Sequence, residues 1–440
     1  MKDVFKQLLL EFTEFDIPAG VRREVVIPEL PPHVRKAITF IGMRRSGKTW
    51  VLYQNIRDLL QQGISLERII YVNFEDERLG EIQTKDLQSL LDAYFELNPQ
   101  HEKAERIFIH LDEIQTVIGW EKFVRRLLDA RQFNLYITGS SAKLLSKEIA
   151  TELRGRSLTR EIFPLSFTEY LKHHEIEVAT EKVSAKKRAV LLHYLITYLK
   201  RGGFPETLGV SDWTHREILQ NYVQVVIYRD IAERHHILSV PILEKWVTHC
   251  LQNSASLLSI NKVFGHFKSL GLRISKNSLY EWLDYVEDAY CLFSVTCFNL
   301  SARKASLKPK KIYPVDPGLV TAFAIYPDTK QAQTLEVAVF RSLRETSNNL
   351  YYYVTQQGWE VDFLLQTPEG QMNLFQVSLT LKNHETRVRE VRALTQAMEE
   401  LSLKTGLIIT LEEEETITIP QGIISVVPAW KFLLSNNLTA

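Results

Sequence analysis

Gly42-Met43-Arg44-Arg45-Ser46-Gly47-Lys48-Thr49 has the spacing G-x-x-x-x-G-K-[ST], and that spacing suits the cradling of phosphate groups. Glycines at both ends let the backbone turn tightly, so successive N–H groups converge on an anion. The helix that follows adds the positive end of its dipole. Lys48 can then reach the β- and γ-phosphates of a nucleotide, and the Thr49 hydroxyl can hold Mg2+. A second acidic element turns such a cradle into a hydrolase. The run Ile107-Phe108-Ile109-His110-Leu111-Asp112-Glu113 supplies it, an apolar strand ending in two acids. Asp112 would bind the Mg2+ shell, directly or through water, and Glu113 would polarise the attacking water. A plain acidic helix cap is the alternative for this pair, and the phosphate loop upstream favours the catalytic one.

Those residues need a parallel sheet to position them. Ala37–Ile41, Ile69–Asn73, Ile107–Leu111 and Leu135–Thr138 are short apolar runs alternating with helical patterns, which predicts an α/β core with helices on both faces of the sheet. The phosphate loop joins the first run to a helix carrying Val51, Leu52, Ile56, Leu59 and Leu60. Thr138, Ser140 and Ser141 close the last run, where one of them could sense the γ-phosphate or the attacking water, or simply cap a helix. Residues 1–30 form an N-terminal segment with a helical start, and Pro28, Pro31 and Pro32 punctuate the way into the first strand. The ATPase core is expected over 31–170 and a helical lid over 171–240, with Arg201-Gly202-Gly203-Phe204-Pro205 as a stop and another helix from Arg216 to Ile231.

The 440 residues carry 53 Lys plus Arg and 53 Asp plus Glu, so no global field draws the chain to nucleic acid and any such contact must come from a local patch. Cys250, Cys291 and Cys297 lack metal-type spacing and suit the core of a protein in a reducing compartment. No signal peptide and no apolar run long enough for a bilayer is seen. A cytoplasmic protein without a membrane partner is the expectation.

Downstream of the core come Leu153-Arg154-Gly155-Arg156 and Phe163-Pro164-Leu165-Ser166-Phe167-Thr168-Glu169-Tyr170-Leu171. RGGFPE (201–206), YRDI (228–231) and KIYPVDPGL (311–319) follow. With GMRRSGKT, HLDEIQ and TGSSAKLLS, the chain resembles the AAA+-like P-loop ATPases of bacteria and archaea that carry a C-terminal region after the ATPase. The resemblance spans most of the chain. It implies ATP and Mg2+ as cofactors and a homo-oligomer, a hexameric ring foremost, in which an arginine of one subunit completes the neighbour's site. Arg156 is the first choice for that finger and Arg154 the second, against surface ion pairs as the plain alternative. Arg44 and Arg45 are also a feature of that family; they could tune the nucleotide's charge, touch a neighbour or face solvent.

Residues 241–330 suggest a winged helix. Leu257–Val263 begins a helix, Leu270–Ile274 turns, and Ser275 caps a second helix with apolar positions at 279, 282, 283 and 286. In helix-turn-helix modules the second helix can enter the major groove. Lys276 and Asn277 at its start, and Arg303, Lys304, Lys308, Lys310 and Lys311 in an acid-free hairpin segment, could contact DNA phosphates. Glu281, Asp284, Glu287 and Asp288 make the other end acidic, which suits a protein partner instead. His235 and His236 are adjacent and cannot share a helical face, so a structural role is expected of them.

Residues 331–440 resemble the PD-(D/E)xK nuclease fold, with a helix Leu335–Glu345 and strands Leu350–Val354, Val361–Leu365, Leu374–Leu379, Gly406–Thr410 and Ile423–Val427. Glu336 and Asp362 stand where that family has its first two acids, but Gln376 and Ser378 replace the next acid and the lysine. Serine cannot supply the cation. Lys382 shares the strand face by parity but lies about 13 Å further on. An inactive domain is the expectation. Together these modules point to an ATP-driven motor or remodeller on duplex or branched DNA, in its specific form a Holliday-junction branch-migration ATPase. An ATP-gated switch acting on a protein partner, and a structure-specific nuclease, are the alternatives.

Overall fold

Five parallel strands form the sheet that carries the phosphate loop, in the order β2-β3-β4-β1-β5. They are β1 (Ala37–Ile41), β2 (Ile69–Asn73), β3 (Ile107–Asp112), β4 (Phe133–Gly139) and β5 (Ser157–Glu161). The computed structural model describes residues 1–31, 33–102, 106–130, 132–139, 153, 155–176, 183–299, 301, 308–367 and 369–435. It divides into two compact units, Met1–Phe163 and Pro164–Ala440. Four strands fall where the apolar runs predict them. The fifth was missed because Ser157-Leu158-Thr159-Arg160-Glu161 is polar and only half-buried, as suits the edge of a sheet. It pairs with β1 from Ala37↔Ser157 to Ile41↔Glu161.

The helix α1 (Lys2–Glu14) precedes β1, and α2 (Lys48–Gln61) follows the phosphate loop. Val51, Leu52, Ile56 and Leu59 of α2 pack with Ile38 and Phe40 of β1 and Phe12 of α1, so the loop leads out of a buried strand into a helix anchored on the same core. In β4, register pairs Ile41 with Gly139 on one side and Leu111 with Ile137 on the other. The phosphate loop and Asp112 thereby emerge at the same edge of the sheet, separated by the width of β4.

The second unit contains a nine-stranded mixed sheet, β13-β14-β12-β11-β10-β9-β7-β8-β6. Its strands are β6 (Ser256–Leu258), β7 (Leu292–Cys297), β8 (Lys310–Pro314), β9 (Leu350–Val354), β10 (Glu360–Gln366), β11 (Met372–Val377), β12 (Thr405–Thr410), β13 (Glu415–Ile419) and β14 (Gly422–Pro428). The expected boundary at 330/331 therefore does not separate two sheets. The antiparallel pair β7–β8, expected as part of a winged helix, joins the C-terminal sheet through β7–β9 pairing, Thr296↔Tyr351 and Cys297↔Tyr352. The acidic run 412–415 ends at Glu415 in the edge strand β13, and Glu413 accepts hydrogen bonds from Thr380 Oγ1 at 2.7 Å and Leu381 N at 3.1 Å.

This sheet has an apolar core on each face. Phe363 and Leu365 of β10, Phe375 of β11 and Leu407 and Ile409 of β12 enter one; Val361 and Leu364, Leu374 and Ile408 enter the other. Period-2 alternation would put Val361 and Leu364 on opposite faces. They share a face because the β9–β10 register shifts between them, the signature of a bulge at Asp362 and Phe363.

The helix expected over Arg216–Ile231 is Asp212–Val225 followed by a π-helical stretch, Val226–Glu233. All three cysteines are buried and free. Among the described residues no helix is long and apolar enough to cross a membrane.

Candidate nucleotide site and a second carboxylate cluster

The phosphate loop needs its glycines for reasons of space and of backbone angle. A Cβ on Gly42 would lie 2.1 Å from the Ile162 carbonyl oxygen and 3.1 Å from Ser46 Oγ. Gly47, at φ +97°, stands in the left-handed region just before α2, where a side chain would be strained. Arg45 is also left-handed, at φ +67°. Lys48 is buried; its ammonium donates to the Gly42 and Met43 carbonyls at 3.3 and 3.2 Å and lies 3.5 Å from Glu113 Oε1. Arg44 pairs with Glu75 at 3.0 Å. The Ser46 hydroxyl is fully buried and finds no hydrogen-bond partner among the described residues. An unmatched hydroxyl inside a loop of this shape fits a site built for phosphate oxygens.

The two acids at the end of β3 sit in different environments. Asp112 Oδ1 accepts from the Thr138 hydroxyl, Oδ2 accepts from Tyr71 OH at 3.0 Å, and Thr49 hydrogen-bonds the same carboxylate. Burial nevertheless pushes the Asp112 carboxyl above the usual range, helped by the charge on Glu113 and opposed by these hydroxyls. A divalent cation between Thr49 and Asp112 would supply the charge this carboxylate lacks. For Glu113 burial also acts upward, but Lys48, Gln115 and Arg44 outweigh it and hold the carboxyl below its ordinary range. Glu113 is therefore the ionised, base-like member of the pair. Its backbone is left-handed at φ +53°, a conformation costing about 1–3 kcal/mol for a residue other than glycine. The Thr138 hydroxyl accepts from its N–H at 2.8 Å. Thr138 is thus a brace between the two acids, occupied by them rather than aimed at a γ-phosphate, and Ser140 and Ser141 lie outside the described residues.

Arg23 was missed by sequence reasoning. It is buried, and its guanidinium donates to the Ser46 carbonyl at 2.9 Å and the Phe163 carbonyl at 2.6 Å. Its backbone N–H donates to Gln54 Oε1 of α2 at 2.7 Å. A lone arginine in a proline-marked lead-in gives no local signal for this. Arg156 precedes β5, its carbonyl accepting from Ala37 N at 2.9 Å. It is thus at the far end of β1 from the phosphate loop, roughly 17 Å away along five residues of strand. Its guanidinium pairs with Asp129 at 2.7 Å, the two side chains partly exposed. Arg154 lies outside the described residues. His110, two residues before Asp112, is buried neutral: burial lowers it to about 3, and it bonds Asn55 at 2.8 Å.

In the second unit, Ser259 caps the helix Ile260–Ser269 and Ser275 caps Lys276–Asp288. Leu279, Trp282, Leu283 and Val286 are buried as expected. The first helix begins later than expected, because Ser256–Leu258 is strand β6. Lys276 and Asn277 are exposed, as is Lys308, and Lys310 is half-buried. The Lys276 ammonium lies 5.4 Å from the Phe264 ring centroid. Arg303 and Lys304 are outside the described residues. His235 stacks on Tyr285 at 3.6 Å, a structural use.

Lys311 corrects the expectation of a phosphate contact. Its side chain is 4% exposed, and its ammonium lies 2.7 Å from Glu360, 2.9 Å from Asp362 and 3.3 Å from Glu336. Parity along β8 turns it inward, with Tyr313 on the same face donating to Glu336 at 2.8 Å. Lys382 is corrected as well: β11 ends at Val377, so parity does not extend to it, and it is exposed. Gln376 faces Glu390, donating to Oε2 at 2.7 Å, and Ser378 Oγ donates to the Thr380 carbonyl at 3.2 Å.

A family model described as an AAA domain matches residues 34–171. Two domains of unknown function, DUF8612 and DUF4143, match 192–330 and 332–432. The uncharacterized protein MJ1544 of Methanocaldococcus jannaschii is 35% identical over 445 residues, which is 99% of this chain and 96% of that one. An uncharacterized protein of Haemophilus influenzae is 32% identical, covering 69% of this chain and 72% of its own. Among solved structures, the Aeropyrum pernix ORC1 protein in complex with DNA is 14% identical, with TM-score 0.28 over 66% of this chain and 86% of that one. AMPPCP-bound DnaA from Aquifex aeolicus is also 14% identical, with TM-score 0.25 over 65% and 86%. TM-scores this low carry no argument about function.

Proposed function

The chain belongs to the family of MJ1544 and is an AAA+-like P-loop ATPase by its AAA domain; on that premise we propose that it hydrolyses ATP and spends the energy on DNA. The observation that carries the hydrolytic reading is the pairing at the end of β3. Asp112 meets Thr49, the last residue of the phosphate loop motif, while Glu113 stands 3.5 Å from Lys48. Thr49 and Asp112 would hold Mg2+, and the loop N–H groups with Lys48 would bind the β- and γ-phosphates. The bound cation supplies positive charge to the phosphate oxygens. Glu113, kept ionised by Lys48, orients and polarises the attacking water.

Arg156 stands at the far end of β1 from its own loop, in keeping with a role in a neighbouring subunit's site within a ring. Its exposed pair with Asp129 contributes about 0–1 kcal/mol, so release to a neighbour costs little. DNA is proposed as the substrate from the capped helix-turn-helix and the exposed Lys276, Asn277 and Lys308. Branched DNA, with migration of the branch, is the specific form. An ATP-gated switch on a protein partner draws support from Glu281 and Asp284, which are exposed on the same helix. ATP turnover measured with no DNA, duplex and a four-way junction separates the two. Stimulation that fades with salt supports the motor. Absence of both stimulation and salt-sensitive binding rules it out in favour of the switch.

A further inference from the structure

We propose that the Lys311 ammonium is a built-in replacement for a divalent cation in the second unit's carboxylate cluster, and that it keeps this domain from binding metal or cutting DNA. Three acids converge on one point: Glu336 from the helix Gln331–Thr346, and Glu360 and Asp362 from β10. Glu360 and Asp362 stand two residues apart in β10 and so share one face by alternation, at the start of the register shift between Val361 and Leu364. At that point stands the ammonium of Lys311, 2.7–3.3 Å from an oxygen of each.

Further hydrogen bonds hold Asp362 and Glu336 in place. Asp362 Oδ2 accepts from the Val377 N–H at 2.9 Å, and Glu336 accepts from Tyr313 OH at 2.8 Å. Gln376 accepts from the Asp362 N–H at 3.2 Å and donates to Glu390, so its amide is committed to the frame. A nuclease centre needs room for metal-bound water and a phosphate besides its carboxylates. Here the side chains of Lys311, Asp362 and Glu336 are 4%, 12% and 15% exposed, and Glu360, at 35%, is the member of the cluster that reaches solvent.

Removing the ammonium leaves three carboxylates facing one another, which a divalent cation would relieve. The test is Mn2+ binding to the full chain, compared among wild type, Lys311→Gln and Lys311→Gln with Asp362→Asn; binding at the nucleotide site is common to all three. Lys311→Gln is expected to gain one Mn2+ site at least about tenfold tighter than anything the wild type shows in this domain. Asp362→Asn should abolish it, and Mn2+ should restore the melting temperature lost by Lys311→Gln. If that variant does not fold, Lys311→Gln with Glu360→Gln removes one charge of each sign and keeps Glu336 and Asp362 for the same titration. Wild-type Mn2+ binding that depends on Asp362, or wild-type cleavage of labelled junctions that Asp362→Asn abolishes, would overturn the proposal. So would a folded lysine variant that gains no site.

Discussion

Replacing Thr138 with valine exchanges one hydroxyl for a methyl group in a buried position, so its consequences trace to two hydrogen bonds. The hydroxyl donates to Asp112 and accepts from the Glu113 N–H at 2.8 Å. A hydrogen bond to a charged group contributes about 1.5–3 kcal/mol, and a buried N–H left without a partner costs about 1–3 kcal/mol. Thr138→Val is therefore expected to destabilise the first unit by about 3–5 kcal/mol, a drop on the order of 10 °C in its melting temperature. Its catalytic effect follows from Glu113, whose left-handed backbone is held by that N–H bond. A displacement of about 1 Å at the base costs about 100-fold in kcat. Asp112, losing a hydrogen bond that favours its ionised form, should titrate higher still, moving the acid limb of the pH–rate profile upward. Thermal unfolding and steady-state ATP turnover across pH check both claims, and Thr138→Ser should restore them. A valine variant with wild-type kcat, an unshifted acid limb and wild-type melting would refute the brace.

Arg23→Met should weaken nucleotide binding about tenfold or more, because charged hydrogen bonds to the loop at Ser46 and to Phe163 are lost; a fluorescent ATP analogue reads this. In the second unit, burial raises Asp316 to about 6. A carboxyl raised on folding contributes stability that is full below its unfolded value of about 4 and lost as pH rises through about 6. Denaturant midpoints of the second unit's transition should fall across that window, and Asp316→Asn should flatten the fall. Lys276→Ala with Lys308→Ala should weaken DNA binding across sequences and reduce the slope of log affinity against log salt by about 1–2, measured by titration at several ionic strengths.

The nucleotide site was legible in sequence because its parts are local. Spacing alone marks Gly42 to Thr49, and Asp112 and Glu113 announce themselves as acids ending a buried strand. The arrangement around them was not legible, because it depends on partners far along the chain. Arg23 reaches Ser46 and Phe163 from a lead-in without periodicity, and Thr138 looks like any polar strand end until β4 is placed between β1 and β3. Lys311 shows the limit most clearly. In a segment rich in lysine it resembled its neighbours, and only the pairing of β7 with β8 and with β9 turns it from a surface charge into the centre of a buried cluster. The fifth strand escaped for the opposite reason, being a polar edge whose place is set by β1 alone.

The central claim is that Glu113 activates water in a site where Lys48, Thr49 and Asp112 hold the nucleotide. Single-turnover ATP hydrolysis by Glu113→Gln, with nucleotide binding measured in parallel, tests it most directly. The account predicts ATP affinity within about threefold of wild type and a hydrolysis rate reduced by about 100-fold or more. Hydrolysis at the wild-type rate with Glu113 replaced would contradict it.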